Sequence, residues 1–253
     1  MAKFGNAVAI PITVVGLAIA LWGYLHPVRK YLGRAAGAGS VIAADHATIV
    51  RNLFLGAGLA AVALLGTWGS TQQAAKWASG LIPSGSTVPL IEYVVIATAA
   101  GAILISLITP LIADMLGRRV TYTLLCVLSL GIALAFFQTN HPFADGKVTG
   151  WFYVSSFLLG GLTASFYGFF PLYFPELFPT SVRATGQGFC FNFGRVIAAI
   201  GSLQLANLTL LFAGEKVSVL QSSANAYSVL SCVYLIGMVL VWFAPETKGR
   251  ALP

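Results

Sequence analysis

Seven stretches of this 253-residue chain are apolar and long enough, or nearly so, to cross a bilayer as helices, which predicts an all-α integral membrane protein. Composition points the same way. The residues are 58% hydrophobic and only 8% charged, with a mean hydropathy of +0.86, whereas soluble domains carry charge on about a quarter of their residues. Turn-forming and helix-breaking residues collect between the apolar runs, which divides the chain into separate spans.

The first run, near residues 7–25, ends at His26-Pro27. A signal-peptide reading fits it poorly, because only Lys3 precedes it, Arg29, Lys30 and Arg34 follow closely, and no cleavage site adjoins its apolar end. It is read as an anchor. Pro27 to Ala47, with Gly33, Gly37, Gly39, Ser40 and three basic residues, reads as a connector on the cytoplasmic side. The second span, near 51–75, is followed by Pro83-Ser-Gly-Ser; the third, near 89–113, by Gly117; and the fourth, near 120–138, by His141-Pro142. The fifth, near 150–172, stops before Pro175 and Pro179, the sixth, near 186–213, before Gly214, and the seventh occupies about 225–243. Residues 1–47 thus form an extra span with its connector, and residues 48–253 a six-helix domain.

Basic residues set the expected orientation, since short loops rich in Lys and Arg stay in the cytoplasm. With the N-terminus outside, the inner side carries Arg29, Lys30, Arg34, Arg51, Arg118, Arg119, Arg183, Lys248 and Arg250, against Lys3, Lys76, Lys147 and Lys216 outside. The C-terminus is then cytoplasmic. The net charge of +7 is spread in short clusters between apolar runs, which suits lipid headgroups rather than nucleic acid. Cys126, Cys190 and Cys232 all fall inside spans, so they support neither a disulfide framework nor a metal site.

Three loop motifs carry more specific information. After the third span stands Leu111-Ile-Ala-Asp114-Met-Leu-Gly117-Arg118-Arg119; after the fifth, Pro171-Leu-Tyr-Phe-Pro-Glu176-Leu-Phe-Pro-Thr-Ser-Val-Arg183, continuing to Arg195; after the last, Pro245-Glu246-Thr-Lys-Gly-Arg250. In order and spacing they resemble the C-terminal half of major facilitator superfamily transporters, and the tail resembles sugar porters and related metabolite carriers. Pro110 stands where that pattern has a Gly, and Met115 where it has a basic residue. Such carriers hold substrate between two six-helix halves at the midplane. The resemblance therefore implies a small-molecule substrate, a sugar or an organic-acid metabolite, moved by alternating access with protons as co-substrate. It also implies a partner in the form of a missing N-terminal half or a second copy, and residence in a bacterial inner membrane.

By the same resemblance Asp114, Gly117, Arg118, Arg119, Glu176, Arg183, Glu246 and Arg250 form a cytoplasmic gate, with Glu176 paired to Arg118 or Arg119. Chemically, Asp114 suits the N-terminal end of the next helix, Gly117 permits a tight reversal, and the arginines grip carboxylates or helix C-termini. A solvated loop obeying the positive-inside rule would look similar.

Candidate substrate contacts are Trp68, Gln72 and Gln73 in the second span, Thr163 and Tyr167 in the fifth, and Asn192 and Arg195 in the sixth. Amides donate and accept, and an indole offers an apolar face. The glutamine pair is similar in kind to one that contacts substrate hydroxyls in sugar porters, but an interfacial belt has the same composition. Close packing at Gly160 and Gly161 competes with a cavity role for Thr163 and Tyr167. Arg195 lies toward mid-membrane, at a cost of about 3 kcal/mol unless it faces protein or water. Its functional reading is to bind an anion or to gate, and its structural reading is to pair with Glu176 or with helix carbonyls near the inner surface. Glu92 is a candidate proton carrier, or an acid that snorkels to the outer interface.

An enzyme reading finds no support. His26, His46 and His141 are scattered, no nucleophile or metalloprotease motif appears, and carboxylates are too few to pair. No cofactor is expected. The alternative to a working carrier is a truncated or non-transporting membrane subunit.

Overall fold

The computed structural model describes residues 6–37, 43–83, 87–143, 147–250 and 252. Apart from an isolated bridge between Gly214 and Val217, the regular structure among them is helical. In chain order the helices are α1 (Asn6–Gly37), α2 (Ala43–Gly69), α3 (Thr71–Ala78), α4 (Leu90–Leu116), α5 (Arg118–Thr139) and α6 (Gly150–Ala164). Then come α7 (Phe166–Glu176), α8 (Arg183–Leu203), α9 (Leu205–Leu211), α10 (Val219–Ser231) and α11 (Val233–Leu240). They make seven stretches able to cross a membrane: Pro11–Lys30, His46–Leu81, Leu90–Leu116, Arg118–Thr139, Gly150–Glu176, Arg183–Leu211 and Val219–Phe243. The all-α membrane class and the seven spans hold.

Several predicted ends move. Pro27 does not stop the first helix, which runs through it to Gly37, so part of the expected connector is helical and residues 38–42 lie outside the described set. Proline costs a helix one backbone hydrogen bond. Pro175 likewise lies inside α7, and the break comes just before Pro179.

Four spans are interrupted by a single residue: Ser70 between α2 and α3, Ser165 between α6 and α7, Gln204 between α8 and α9, and Cys232 between α10 and α11. Inside a bilayer the backbone groups at such a break must find partners within the protein. Side chains take part: the Ser70 hydroxyl donates to the Gly66 carbonyl at 2.6 Å and the Ser165 hydroxyl to that of Leu162 at 2.6 Å. The first two breaks also meet, since the Thr67 hydroxyl donates to the Thr163 carbonyl at 3.0 Å and the Thr71 and Thr163 hydroxyls bond each other.

Lipid offers no hydrophobic force between helices, so the pairs that pack closest do so through small residues. A Cβ added at Gly101 would overlap the Phe157 carbonyl, and one at Gly160 the Thr98 backbone, which brings α4 and α6 into backbone contact. α2 and α8 meet in the same way where Gly194 faces Ala57, Ala60 and Ala61. Aromatic rings fill the remaining interior. Phe166 stacks on Tyr234 and Phe170 on Phe174 in one cluster, while Trp77, Phe136 and Phe152 belong to a second. Ile96, Ile103, Leu107 and Leu111 of α4 are exposed, as suits a face turned to hydrocarbon. α1 stands apart: Leu25 and Val28 touch the core, while Val14, Val15, Ile19 and Trp22 are exposed.

Candidate functional site

At one end of the bundle the α4–α5 turn, the end of α7 and the C-terminal tail converge on Arg118, which is only 5% exposed. The turn starts from Gly117, whose φ of 91° and ψ of 164° fall in a region open essentially to glycine alone. A side chain there would also crowd Glu246, whose Oε2 lies 3.1 Å from the position of a Cβ. The reversal brings Arg118 under α7. Its Nε donates to Glu176 Oε2 at 2.9 Å and its Nη2 to Oε1 at 2.6 Å, a bidentate pair. Nη1 donates to Asp114 Oδ1 and to the Ala113 carbonyl, both at 2.8 Å. The guanidinium therefore joins the last turn of α4 to the last turn of α7.

Glu246 completes the arrangement. The first backbone N–H groups of α5 have no partner within their own helix, and no side chain at Gly117 caps them. Glu246 accepts from Arg118 N through Oε1 and from Arg119 N through Oε2, each at 3.0 Å. Oε1 also accepts from the backbone N–H groups of Thr247 and Lys248 at 3.0 Å. Burial acts to raise the Glu246 carboxyl, and the N–H groups of Arg118, Arg119, Lys248 and Thr247 outweigh it, holding the group below its ordinary value of 4.5. This corrects the expectation for Asp114. Asp114 lies in the last turn of α4 with its side chain 61% exposed and pairs with Arg118; Glu246 is what caps α5.

The other predicted gate residues divide. Arg119 does not pair with Glu176; its Nε donates to the Ala244 carbonyl at 2.9 Å. Arg183 Nε donates to the Pro175 carbonyl at 3.1 Å and the Phe178 carbonyl at 3.3 Å, gripping the chain where α7 ends. Arg250 is exposed, and its backbone N–H bonds the Thr247 carbonyl. Sequence reasoning passed over Thr247, whose hydroxyl donates to Glu176 Oε2 at 2.6 Å, and Tyr173, whose hydroxyl donates to the Pro245 carbonyl at 2.6 Å. Thr247 lies within the tail motif, which was the available signal. Arg51 and Asn52 were also missed as anchors. Arg51 Nη2 donates to the Phe243 carbonyl at 2.6 Å and Asn52 Nδ2 to that of Leu177 at 3.0 Å, tying the start of α2 to the same end.

The predicted substrate residues are less gathered. Arg195 is exposed on α8, twelve residues after Arg183, or roughly 18 Å along the helix axis. It does not pair with Glu176: its Nη1 donates to Asn192 Oδ1 at 3.3 Å, the neighbour one helical turn before it. Ala184, Gly188, Phe191 and Arg195 recur at helical spacing as an exposed or half-buried stripe. Tyr167 is 38% exposed. Thr163 does not share an open space with it, because Thr163 is fully buried and its hydroxyl is held by the Leu159 carbonyl at 2.7 Å and by Thr71. Gln73 Nε2 donates to the Trp68 carbonyl at 3.1 Å, Trp68 is half-buried and Gln72 exposed. Glu92 is exposed in the first turn of α4, at the edge of its span, where an acid suits the helix dipole.

No protein-family profile matches the chain. It is 26% identical over 142 residues to a Haemophilus influenzae protein named "Putative metabolite transport protein", covering 56% of this chain and 31% of that one. A second Haemophilus influenzae protein of the same name is 32% identical over 146 residues, covering 55% of the chain and 28% of the relative. The Danio rerio protein named "Putative transporter SVOPL" is 31% identical over 143 residues, covering 56% of the chain and 25% of the relative. The matched region thus spans no more than about a third of these relatives' length. Transporters are what the chain is similar to, in keeping with the resemblance to the major facilitator superfamily that its loop motifs carry.

Proposed function

We propose that this chain contributes one six-span half, residues 48–253, to a carrier that moves a small solute across a membrane by alternating access, with residues 1–47 supplying the span before it. The network of Arg118 with Glu176, Asp114 and Glu246 carries this reading. It ties the α4–α5 turn, the end of α7 and the C-terminal tail together at one end of the bundle. An assembly of that kind suits a gate, because it stabilises one arrangement of the helix ends and is broken in another. The substrate is a sugar or an organic-acid metabolite, held at the midplane against a second half, with Gln72, Tyr167, Asn192 and Arg195 on the facing surface. Protons drive the cycle. The membrane is the bacterial inner membrane, with the N-terminus outside and the charged end in the cytoplasm.

The test is solute uptake into proteoliposomes. One set contains this chain alone; the other contains the chain joined behind the N-terminal half of one of the Haemophilus influenzae relatives. The expected result is uptake of at least one sugar or acid, driven by an inward proton gradient, only in the second set. An assembled two-half protein that takes up no solute under any gradient would leave the non-transporting subunit as the better reading.

A further inference from the structure

Between α1 and the adjoining ends of α2 and α8 lies an open groove of about 420 Å³. Leu25 and Val28 of α1, Leu53 of α2 and Phe189 of α8 form its apolar walls, and Arg29 and His46 stand on its lining. Beside it on α1 lies a second depression of about 360 Å³, which shares Leu25 and Arg29 with the first and adds Trp22 and Lys30. Arg29, Lys30 and His46 are all exposed. Among the described residues no carboxylate lies within ion-pair distance of Arg29 or Lys30. The groove also has a defined depth. His46 lies about one and a half helical turns before Arg51 and Asn52, whose side chains reach the chain on either side of the Arg118 network, so the basic rim stands at the charged end of the bundle.

An apolar trough with exposed basic side chains at its membrane-surface end suits a molecule with an anionic head and an apolar tail. We propose that the groove binds an anionic phospholipid, its phosphate against Arg29, Lys30 and His46 and an acyl chain along Leu25, Val28, Leu53 and Phe189. Guanidinium and ammonium groups are strong donors to phosphate oxygens, and basic residues beside a span attract anionic lipid. Trp22, stacked on His26, supplies the aromatic group that sits well where chain meets headgroup. An acyl chain, slimmer than a helix about 10 Å across, can lie along such an apolar wall while its headgroup stays at the basic rim. Seated there, a lipid would bridge α1 to the six-span bundle, where direct contact is confined to a few residues. The inference does not depend on the transport reading.

The test uses the full chain in nanodiscs containing equal amounts of phosphatidylglycerol and phosphatidylcholine, followed by detergent extraction and native mass spectrometry of the lipid retained. The expected result is selective retention of phosphatidylglycerol. Each basic residue near an anionic headgroup contributes about a fivefold preference, so Arg29→Gln should lower the selectivity by about that factor. Arg29→Gln with Lys30→Gln should lower it further, and Arg29→Lys should largely restore it. These side chains are exposed, so the variants should fold, which circular dichroism checks. Equal retention of the two lipids, or selectivity unchanged in the double variant, overturns the proposal. So does a lipid-free dimer whose contacts, read by cross-linking at Val28, fill the groove with a second copy.

Discussion

Glu176→Gln tests whether the Arg118 pair is a buried interaction or a surface ornament. The Arg118 side chain is 6% exposed and that of Glu176 14%, and the two make both bonds of a bidentate pair at 2.6 and 2.9 Å. Removing one member of a buried pair costs about 3–5 kcal/mol, mainly because the other charge stays buried. Two features reduce that here. The amide keeps an oxygen for Arg118 or for the Thr247 hydroxyl, and Asp114 still faces the guanidinium at 2.8 Å. About 2–4 kcal/mol is therefore expected. Asp114→Asn is the internal control: it breaks an i,i+4 pair whose acid is 61% exposed, worth under about 1 kcal/mol. Unfolding of the purified chain in mixed micelles, titrated with denaturing detergent, gives both values, and Arg118→Gln with the double variant closes a cycle that isolates the pair. If Glu176→Gln costs no more than Asp114→Asn, the argument from burial fails.

The Glu246 cap should show itself through pH. A carboxyl held below 4.5 contributes stability that is fully present above the ordinary value and disappears as pH falls through the lowered one. Glu246→Gln should thus cost about 1–2 kcal/mol at pH 7, and its deficit relative to the parent should vanish in strong acid; a pH-independent deficit would contradict the cap. Gly160→Ala pushes a methyl into the Thr98 backbone and should cost about 3 kcal/mol or prevent folding, while Gly188→Ala, with open space at its Cβ, should be nearly neutral in thermal unfolding. In an assembled two-half carrier, Arg195→Gln should weaken binding of an acid substrate by roughly 10- to 150-fold and that of a sugar far less. Acid binding left intact would remove Arg195 from the substrate site.

The spans were legible because their signal is a bulk property: about 20 apolar residues and a break, which neighbours cannot disguise. A pair between Glu176 and Arg118 or Arg119 was implied by the resemblance of the loop motifs, and only the fold shows that Arg118 is the partner while Arg119 bonds the Ala244 carbonyl. Glu246 as the cap of α5 was not legible, because nothing local to Arg118 reports a carboxylate that arrives from the tail. Asp114, near the expected helix start, was the natural but mistaken choice. The breaks at Ser70 and Ser165 were invisible, as one small polar residue hardly alters the hydropathy of a long span. Thr163 illustrates the same limit: periodicity set it one turn from Tyr167, and only the structure reveals that its hydroxyl is already used by the Leu159 carbonyl and by Thr71 of α3.

The Glu246 cap also orders events in time. The carboxylate that satisfies the first N–H groups of α5 lies 128 residues further along the chain. During synthesis α4 and α5 can enter the membrane long before that residue exists, and for the whole interval the start of α5 must rely on water or headgroups for those donors. The turn around Gly117 is thus made early and completed only once the tail has arrived. A chain ended after α11 but before Glu246 would keep all its spans and leave the first N–H groups of α5 uncapped.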